Sequence, residues 1–140
     1  MLQLQIITSE KSVYNDTADA VIIPTIAGEI TVLPNHISLV SQIVDGEIVI
    51  KKSGKEQRIA ITGGFLEVSN NKVTILADYA IRSEEIEIAK AEEAKKRAEK
   101  ILSEKAEKQN FAEAEAQLRK SLLELKVATK RKHRPSNPAA

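Results

Sequence analysis

The chain has 140 residues and carries 21 Lys and Arg against 20 Asp and Glu, a formal net charge of +1, so no strongly polyanionic partner is indicated for the chain as a whole. It has no cysteine, which excludes disulfides and thiolate metal sites, and its 42% hydrophobic residues include only 3% aromatics, so a core must be built from Ile, Val, Leu and Ala. No apolar run approaches the roughly 20 residues of a membrane-spanning helix, and the start "MLQLQIITSEK" lacks the basic and long apolar segments of a signal peptide, so a soluble protein kept in the cytoplasm is expected.

Composition divides the chain. All five glycines lie at or before Gly64, and the stretch before about Ser83 is rich in Ile, Val and Thr. After it come Ala, Glu, Lys, Arg and Leu, with no Gly and no Pro until Pro135. The first composition favours strands and the second favours helices. A boundary is therefore expected near Arg82–Ser83, with a β domain over 1–83, a helical hairpin over 84–132 and a disordered basic tail over 133–140.

In chain order, "LQLQI" opens with Leu2, Leu4 and Ile6 on one face of a strand and Gln3 and Gln5 on the other. Asp45-Gly46 predicts a two-residue turn pairing Ile43 with Ile48, and "KKSGKE" predicts another turn. A glycine loop that cradles phosphate needs a helix behind it, yet Gly63-Gly64 is followed by the strand-like "FLEVS". The pair therefore reads as a bend or bulge between strands. Asn70-Asn71 predicts a hairpin with Val68 opposite Val73 and Leu66 opposite Ile75, since asparagine tolerates the left-handed conformation. The turn spacing gives about eight to ten short strands, hence an antiparallel β-sandwich or flattened barrel.

Ser83 followed by Glu84 and Glu85 reads as the capped start of a helix running to about Lys108. Its Glu-to-Lys/Arg pairs at i, i+4 are Glu92–Lys96, Glu93–Arg97 and Glu104–Lys108. "NFAE" then offers Asn110 as a cap with Glu113 three residues on. A second helix follows from 111 to about 130, with Phe111, Ala114, Leu118, Leu122 and Leu125 as its apolar stripe. The seam of the first helix is small: Ala91, Ala94 and Ala98, then Ile101 and Leu102. At about 0.8 kcal/mol per buried CH₂, such a seam adheres weakly, so the hairpin is expected to be detachable. The whole reads as an α+β protein, an antiparallel sandwich followed by an antiparallel two-helix hairpin.

No catalytic cluster emerges. His36 and His133 are the chain's two histidines, and neither sits in a triad-like or metal-binding spacing with other ligands. The acidic pairs Glu84-Glu85 and Glu92-Glu93 fit solvated helix faces. No metal and no cofactor are expected, and no enzyme activity. The basic end "KRKHR" reads as a solubilising tail, an acidic-protein contact or, least, a nucleic-acid contact, because no aromatic platform accompanies it. The alternative to a binding or regulatory part of a larger machine is a stand-alone nucleotide-sensing or nucleic-acid-binding module.

The stretches "AGEITVLPNHISLVSQIVDGEIVI", "IAITGGFLEVSNNKVTILADYAIR" and "AEEAKKRAEKIL" resemble the epsilon subunit of F-type ATP synthases. The resemblance covers the chain up to about Lys132. It implies a rotor subunit whose sandwich binds the gamma subunit and sits on the c ring, coupling proton transport to ATP synthesis at sites on other subunits. It places the protein on the cytoplasmic face of the cell membrane, without direct membrane insertion and without nucleic acid. It implies a hairpin that suppresses ATP hydrolysis when it unfolds from the sandwich and extends along gamma. Carried over by motif, Glu29 and His36 fall in the loop region facing the c ring, with a structural turn role for His36 as the other reading. Arg119, Lys120, Lys126, Lys130 and Arg131 would meet the acidic segment of a catalytic beta subunit in the extended state, or else form a solvated face. Some bacterial members bind ATP on the folded hairpin through a motif that begins Ile/Leu-Asp and ends Arg-Ala. Here the motif reads "IEIAKA", with Glu87 for the Asp and Lys90 for the Arg before Ala91. The family's arginine pair aligns with Lys120 and Glu124, and Glu124 sets a negative charge where triphosphate needs a positive one. The resemblance thus implies at most a weak ATP site at Glu87, Lys90, Ala91 and Lys120.

Overall fold

The computed structural model describes residues 1–103 and 108–133. Glu104 and residues 134–140 of the basic tail lie outside the described residues, so the Glu104–Lys108 pair and most of the expected tail do too. The chain divides into two compact units, Met1–Arg82 and Ser83–Arg134.

The first unit is a sandwich of two five-stranded sheets. One sheet has the order β2-β1-β9-β8-β5, from β1 (Leu2–Ile7), β2 (Ser12–Ala18), β5 (Leu39–Gln42), β8 (Phe65–Ser69) and β9 (Lys72–Leu76). The other has the order β10-β7-β6-β3-β4, from β3 (Ala20–Thr25), β4 (Gly28–Val32), β6 (Gly46–Lys52), β7 (Lys55–Thr62) and β10 (Tyr79–Arg82). Neighbours run antiparallel except β1 and β9, which pair in parallel, Leu4 opposite Val73 and Ile6 opposite Ile75. Strand alternation explains the core. Leu2, Leu4, Ile6, Leu66 and Ile75 of one sheet and Val21, Ile23, Ile48, Ile50, Ile59 and Ile61 of the other form one buried cluster. Each such side chain contributes about 1.5–3 kcal/mol of burial.

The turns behave as their residues require, with one exception. Asn70 and Asn71 have φ of 50° and 59°, and the hairpin they close pairs Val68 with Val73 and Leu66 with Ile75, as the sequence predicts. Ser53 and Gly54 turn β6 into β7, Lys52 opposite Lys55, with φ of 52° and 77°. The expected Asp45-Gly46 hairpin does not form. Ile43 bridges Thr25, and β5 and β6 belong to different sheets. Asp45 instead accepts a hydrogen bond from the Gly63 backbone N–H at 2.7 Å through Oδ1. Ile43 and β6 both run antiparallel to β3, so the chain bends at Asp45 and continues in the same direction instead of reversing.

Gly63 and Gly64 make the same kind of crossing, from β7 in one sheet to β8 in the other, with φ of 52° and 121°. They form a corner between the two sheets.

The second unit begins with a 3₁₀ turn at Ser83–Glu85, followed by α1 (Ile88–Ser103) and α2 (Lys108–His133), which pack on each other. Ser83 therefore starts a short turn rather than capping α1. Helix α2 begins before Asn110, so that residue lies inside it instead of capping it. The Lys and Gln that precede Asn110 are good helix formers, and the helix extends through them. His133, assigned to the tail by sequence, is the last residue of α2. In α1 the ion pair at i, i+4 is Lys95–Glu99 at 3.9 Å, rather than Glu92–Lys96 or Glu93–Arg97.

Candidate functional site

Three surfaces of the two units carry the residues of interest. The first is the outer face of the β5-containing sheet. Inward positions of its central hairpin are filled by Leu66, Val68, Val73 and Ile75, so Phe65, Glu67, Thr74 and Leu76 point outward. Ladder register sets Ile7 beside Leu76, Leu76 beside Phe65, and Phe65 beside Gln42. Val40 stands two residues along β5 on the same face, opposite Glu67. Phe65, Leu76 and Val40 are 58%, 50% and 75% exposed, so three large apolar side chains on adjacent strands face water. Ile26 and Val44 extend this apolar surface at the sheet's end, where the Ile26 N–H donates to the Gln42 carbonyl (3.1 Å) and the Val44 N–H to the Pro24 carbonyl (3.0 Å). A contiguous exposed apolar patch marks an interaction surface.

The second surface is the edge strand β4 and its flanks. Glu29 is exposed in β4, opposite Pro24, beside the tip of the β3–β4 hairpin. That tip is fixed by the Thr25 hydroxyl, which donates to the Gly28 carbonyl at 2.6 Å and accepts from the Ala27 N–H at 3.2 Å. His36 lies beyond the other end of β4, in the connection to β5. The His36 N–H donates to the Leu33 carbonyl at 3.2 Å, and its Nδ1 donates to the Ile37 carbonyl at 2.7 Å. The loop is anchored further by the Asn71 side chain, which accepts from the Asn35 N–H and donates to the Met1 carbonyl, both at 2.9 Å. Leu33 and Ile37 are exposed beside His36. Glu29 and His36 are not brought together: from Glu29 to Val32 alone the strand rises about 10 Å.

The third surface is the helical unit. Ala91, Ala94 and Ala98 of α1 are buried, and so are Ala114, Ser121, Leu123, Glu124, Val127 and Ala128 of α2. The stripe expected on α2 is rotated from this arc. Ala114 is buried, but Phe111 and Leu122 are exposed, with Leu118 and Leu125 half-buried. Leucine spacing locates an apolar face, but it does not say which of two adjoining faces a small-residue partner helix will cover. Among the basic residues, Arg119, Lys126 and Lys130 are exposed and recur at helical spacing on one face of α2. Lys120 and Arg131 are half-buried on another. The Arg131 guanidinium donates to the carbonyls of Ser83 and Ile86.

At the positions considered for ATP, Glu87 precedes α1 and its carboxylate lies 3.2 Å from the Lys90 ammonium. Ala91 is buried and donates its N–H to the Glu87 carbonyl at 3.1 Å. No group of three or more His, Cys, Asp or Glu able to hold a metal ion exists among the described residues. No helix among them is long and apolar enough to cross a membrane.

Sequence reasoning missed the Val40–Phe65–Leu76 surface. Its signal was present, because Phe65 and Leu76 are apolar at the outward parity of a hairpin whose inward parity is already filled.

Two family models match, and together they span nearly the whole chain. Residues 1–83 match the beta-sandwich domain of the ATP synthase Delta/Epsilon chain, and residues 84–129 match its long alpha-helix domain. An ATP synthase epsilon chain of Dehalococcoides mccartyi is 44% identical over 135 residues, covering 96% of each chain. That of Nitratidesulfovibrio vulgaris is 42% identical over 126 residues, covering 90% of this chain and 94% of its own. A chain in the cryo-EM structure of the Euglena gracilis mitochondrial ATP synthase OSCP/F1/c-ring assembly superposes with a TM-score of 0.65 at 25% identity, over 91% of this chain and 79% of that one. A chain of the Tetrahymena thermophila mitochondrial ATP synthase central stalk and c-ring shares the fold, with a TM-score of 0.56 at 16% identity over 92% of this chain and 94% of that one. On the strength of both domain matches and these relatives, the chain belongs to the epsilon-chain family of ATP synthases.

Proposed function

We propose that this chain is a non-catalytic rotor subunit, peripheral on the cytoplasmic face of the cell membrane. It couples proton flow through the c ring to ATP synthesis on other subunits. The observation that carries this reading is the exposed apolar surface of Val40, Phe65 and Leu76, continued by Ile26 and Val44. In an epsilon-family sandwich it suits a protein partner, and we assign it to the gamma subunit. Glu29 beside the β3–β4 tip and His36 in the opposite loop are assigned to contacts with the c ring and its surroundings.

The helical unit is assigned the regulatory role, restraining ATP hydrolysis in an extended state that reaches the catalytic alpha and beta subunits. Two features support it. The buried side of α1 is built of alanines, which bury little area per turn. The exposed stripe of Phe111 and Leu122, with Leu118 and Leu125 at its margin, gives α2 a second apolar face adjoining the basic row Arg119, Lys126 and Lys130. ATP is not assigned as a ligand, because Glu87 pairs with Lys90 and Glu124 stands where a cation would be needed. Isothermal titration of the isolated chain is expected to show no binding of ATP at submillimolar concentration.

The deciding experiment compares ATP hydrolysis by the assembled complex with and without residues 84–140. Higher hydrolysis with unchanged assembly is expected from the truncated form. Equal hydrolysis by both would remove the regulatory role, and failure of the sandwich to assemble would remove the coupling role.

A further inference from the structure

Arg131 lies in the last turn of α2, and its guanidinium reaches back across the helical unit to the segment that opens it. It donates through Nη1 to the Ser83 carbonyl and through Nη2 to the Ile86 carbonyl, the latter at 3.3 Å. Arg131 stands 48 and 45 residues from Ser83 and Ile86 in sequence, yet all three belong to one unit. Ser83 and Ile86 are buried, at 2% and 4% exposure, so their carbonyls draw little help from water. Only arginine has a rigid planar fork that can bridge two acceptors at once, and its charge is retained at any accessible pH. A lysine ammonium has three donors but no rigid planar fork to fix the spacing and direction of two such bonds.

We propose that Arg131 is the clasp of the helical unit. It ties the C-terminal turn of α2 to the chain entering α1, so the closed hairpin is held by a charged fork at its open end as well as by its alanine seam. While the clasp is shut, this cation is withheld from any acidic surface. A carboxylate is a stronger acceptor for guanidinium than a neutral carbonyl, so an acidic partner can take over the fork once the hairpin opens. This second step rests on the regulatory reading above; the clasp does not.

Amide hydrogen exchange of the full chain tests the clasp. Arg131→Ala is expected to speed exchange over residues 84–95 by about ten-fold or more, the loss of hydrogen bonds made by a charged donor. Residues 1–82 serve as the internal control and are expected to be unchanged. Arg131→Lys, which keeps the charge but not the fork, is expected to fall between, and Lys126→Ala, which removes an exposed charge, to match the wild type. Wild-type exchange in Arg131→Ala overturns the clasp. Should that variant unfold throughout, Arg131→Lys decides: faster exchange over 84–95 supports the clasp and wild-type exchange overturns it. In the assembled complex, Arg131→Lys is expected to hydrolyse ATP more slowly, because the hairpin opens more readily with its cation intact. Faster exchange with unaltered hydrolysis would keep the clasp and overturn its link to inhibition.

Discussion

Gly64 cannot accept a side chain. A Cβ built there would stand 2.0 Å from the Leu76 carbonyl oxygen, and the residue's φ is +121°. Gly28 shares the left-handed conformation, at φ +111°, but has nothing within 4 Å. The pair separates crowding from backbone strain. Gly28→Ala is expected to cost about 1–2 kcal/mol, and Gly64→Ala more than about 3 kcal/mol, by urea unfolding. Asp16 and Lys52 are the other informative pair, 2.8 Å apart, joining β2 of one sheet to the end of β6 in the other. The hydrogen bond from Lys52 lowers the Asp16 pKa, and the same bond raises that of Lys52. A lowered carboxyl pKa stabilises the fold above the unfolded value and loses that contribution as the pH falls through the folded value. A raised ammonium pKa stabilises below the unfolded value and loses its contribution as the pH rises through the folded value. Asp16→Asn is therefore expected to lower the melting temperature by a constant small amount between about pH 5 and 9, with the gap closing below about 4 and above about 10.5.

The elements divide into those legible from pattern and those that were not. The Asn70-Asn71 hairpin was readable residue by residue, because its turn chemistry and its alternation specify the same register. The Asp45-Gly46 pair was read as a hairpin turn, but the chain only bends there and keeps its direction along β3, since pairing is decided by partners distant in sequence. The seam of α1 was readable at Ala91, Ala94 and Ala98 but not at its end, where Ile101 is exposed and Leu102 half-buried, and the buried arc of α2 was not readable. There, Ser121 and Glu124 are buried and Leu122 is exposed, contrary to polarity. The Ser121 hydroxyl meets its need locally, donating to the Gln117 carbonyl at 2.8 Å. Small residues at this seam let the helices approach closely, so enlarging one must force them apart. Ala98→Leu is expected to cost about 1–3 kcal/mol and to raise amide exchange in both helices, leaving the sandwich unaffected.

At the scale of the molecule, two compact units differ in what holds them. The sandwich buries a dense Ile, Leu and Val cluster between its sheets, while the helical unit relies on alanines, a few larger residues and the Arg131 fork. Residues 1–82 are accordingly expected to unfold cooperatively at nearly the same temperature with or without the remainder. The outer apolar surface makes a separate prediction. Phe65→Ser combined with Leu76→Ser touches exposed side chains only, so the sandwich's own stability should change by less than about 1 kcal/mol, while affinity for the gamma subunit falls ten-fold or more. Equal affinity in a pull-down titration would overturn the proposed assignment of this face to the gamma subunit.

Composition, alternation and turn chemistry by themselves determined a strand-rich first part and a helical second part, because each depends on neighbours a few residues away. The motifs "LPNH" and "GGFLEV" carried the family resemblance in the same local way. Tertiary structure alone decided which sheet each strand joins, that β1 and β9 run parallel, that β4 separates Glu29 from His36, which arc of α2 is buried, and that Arg131 closes on Ser83 and Ile86. Those outcomes rest on contacts between residues tens of positions apart, whose geometry no local pattern encodes.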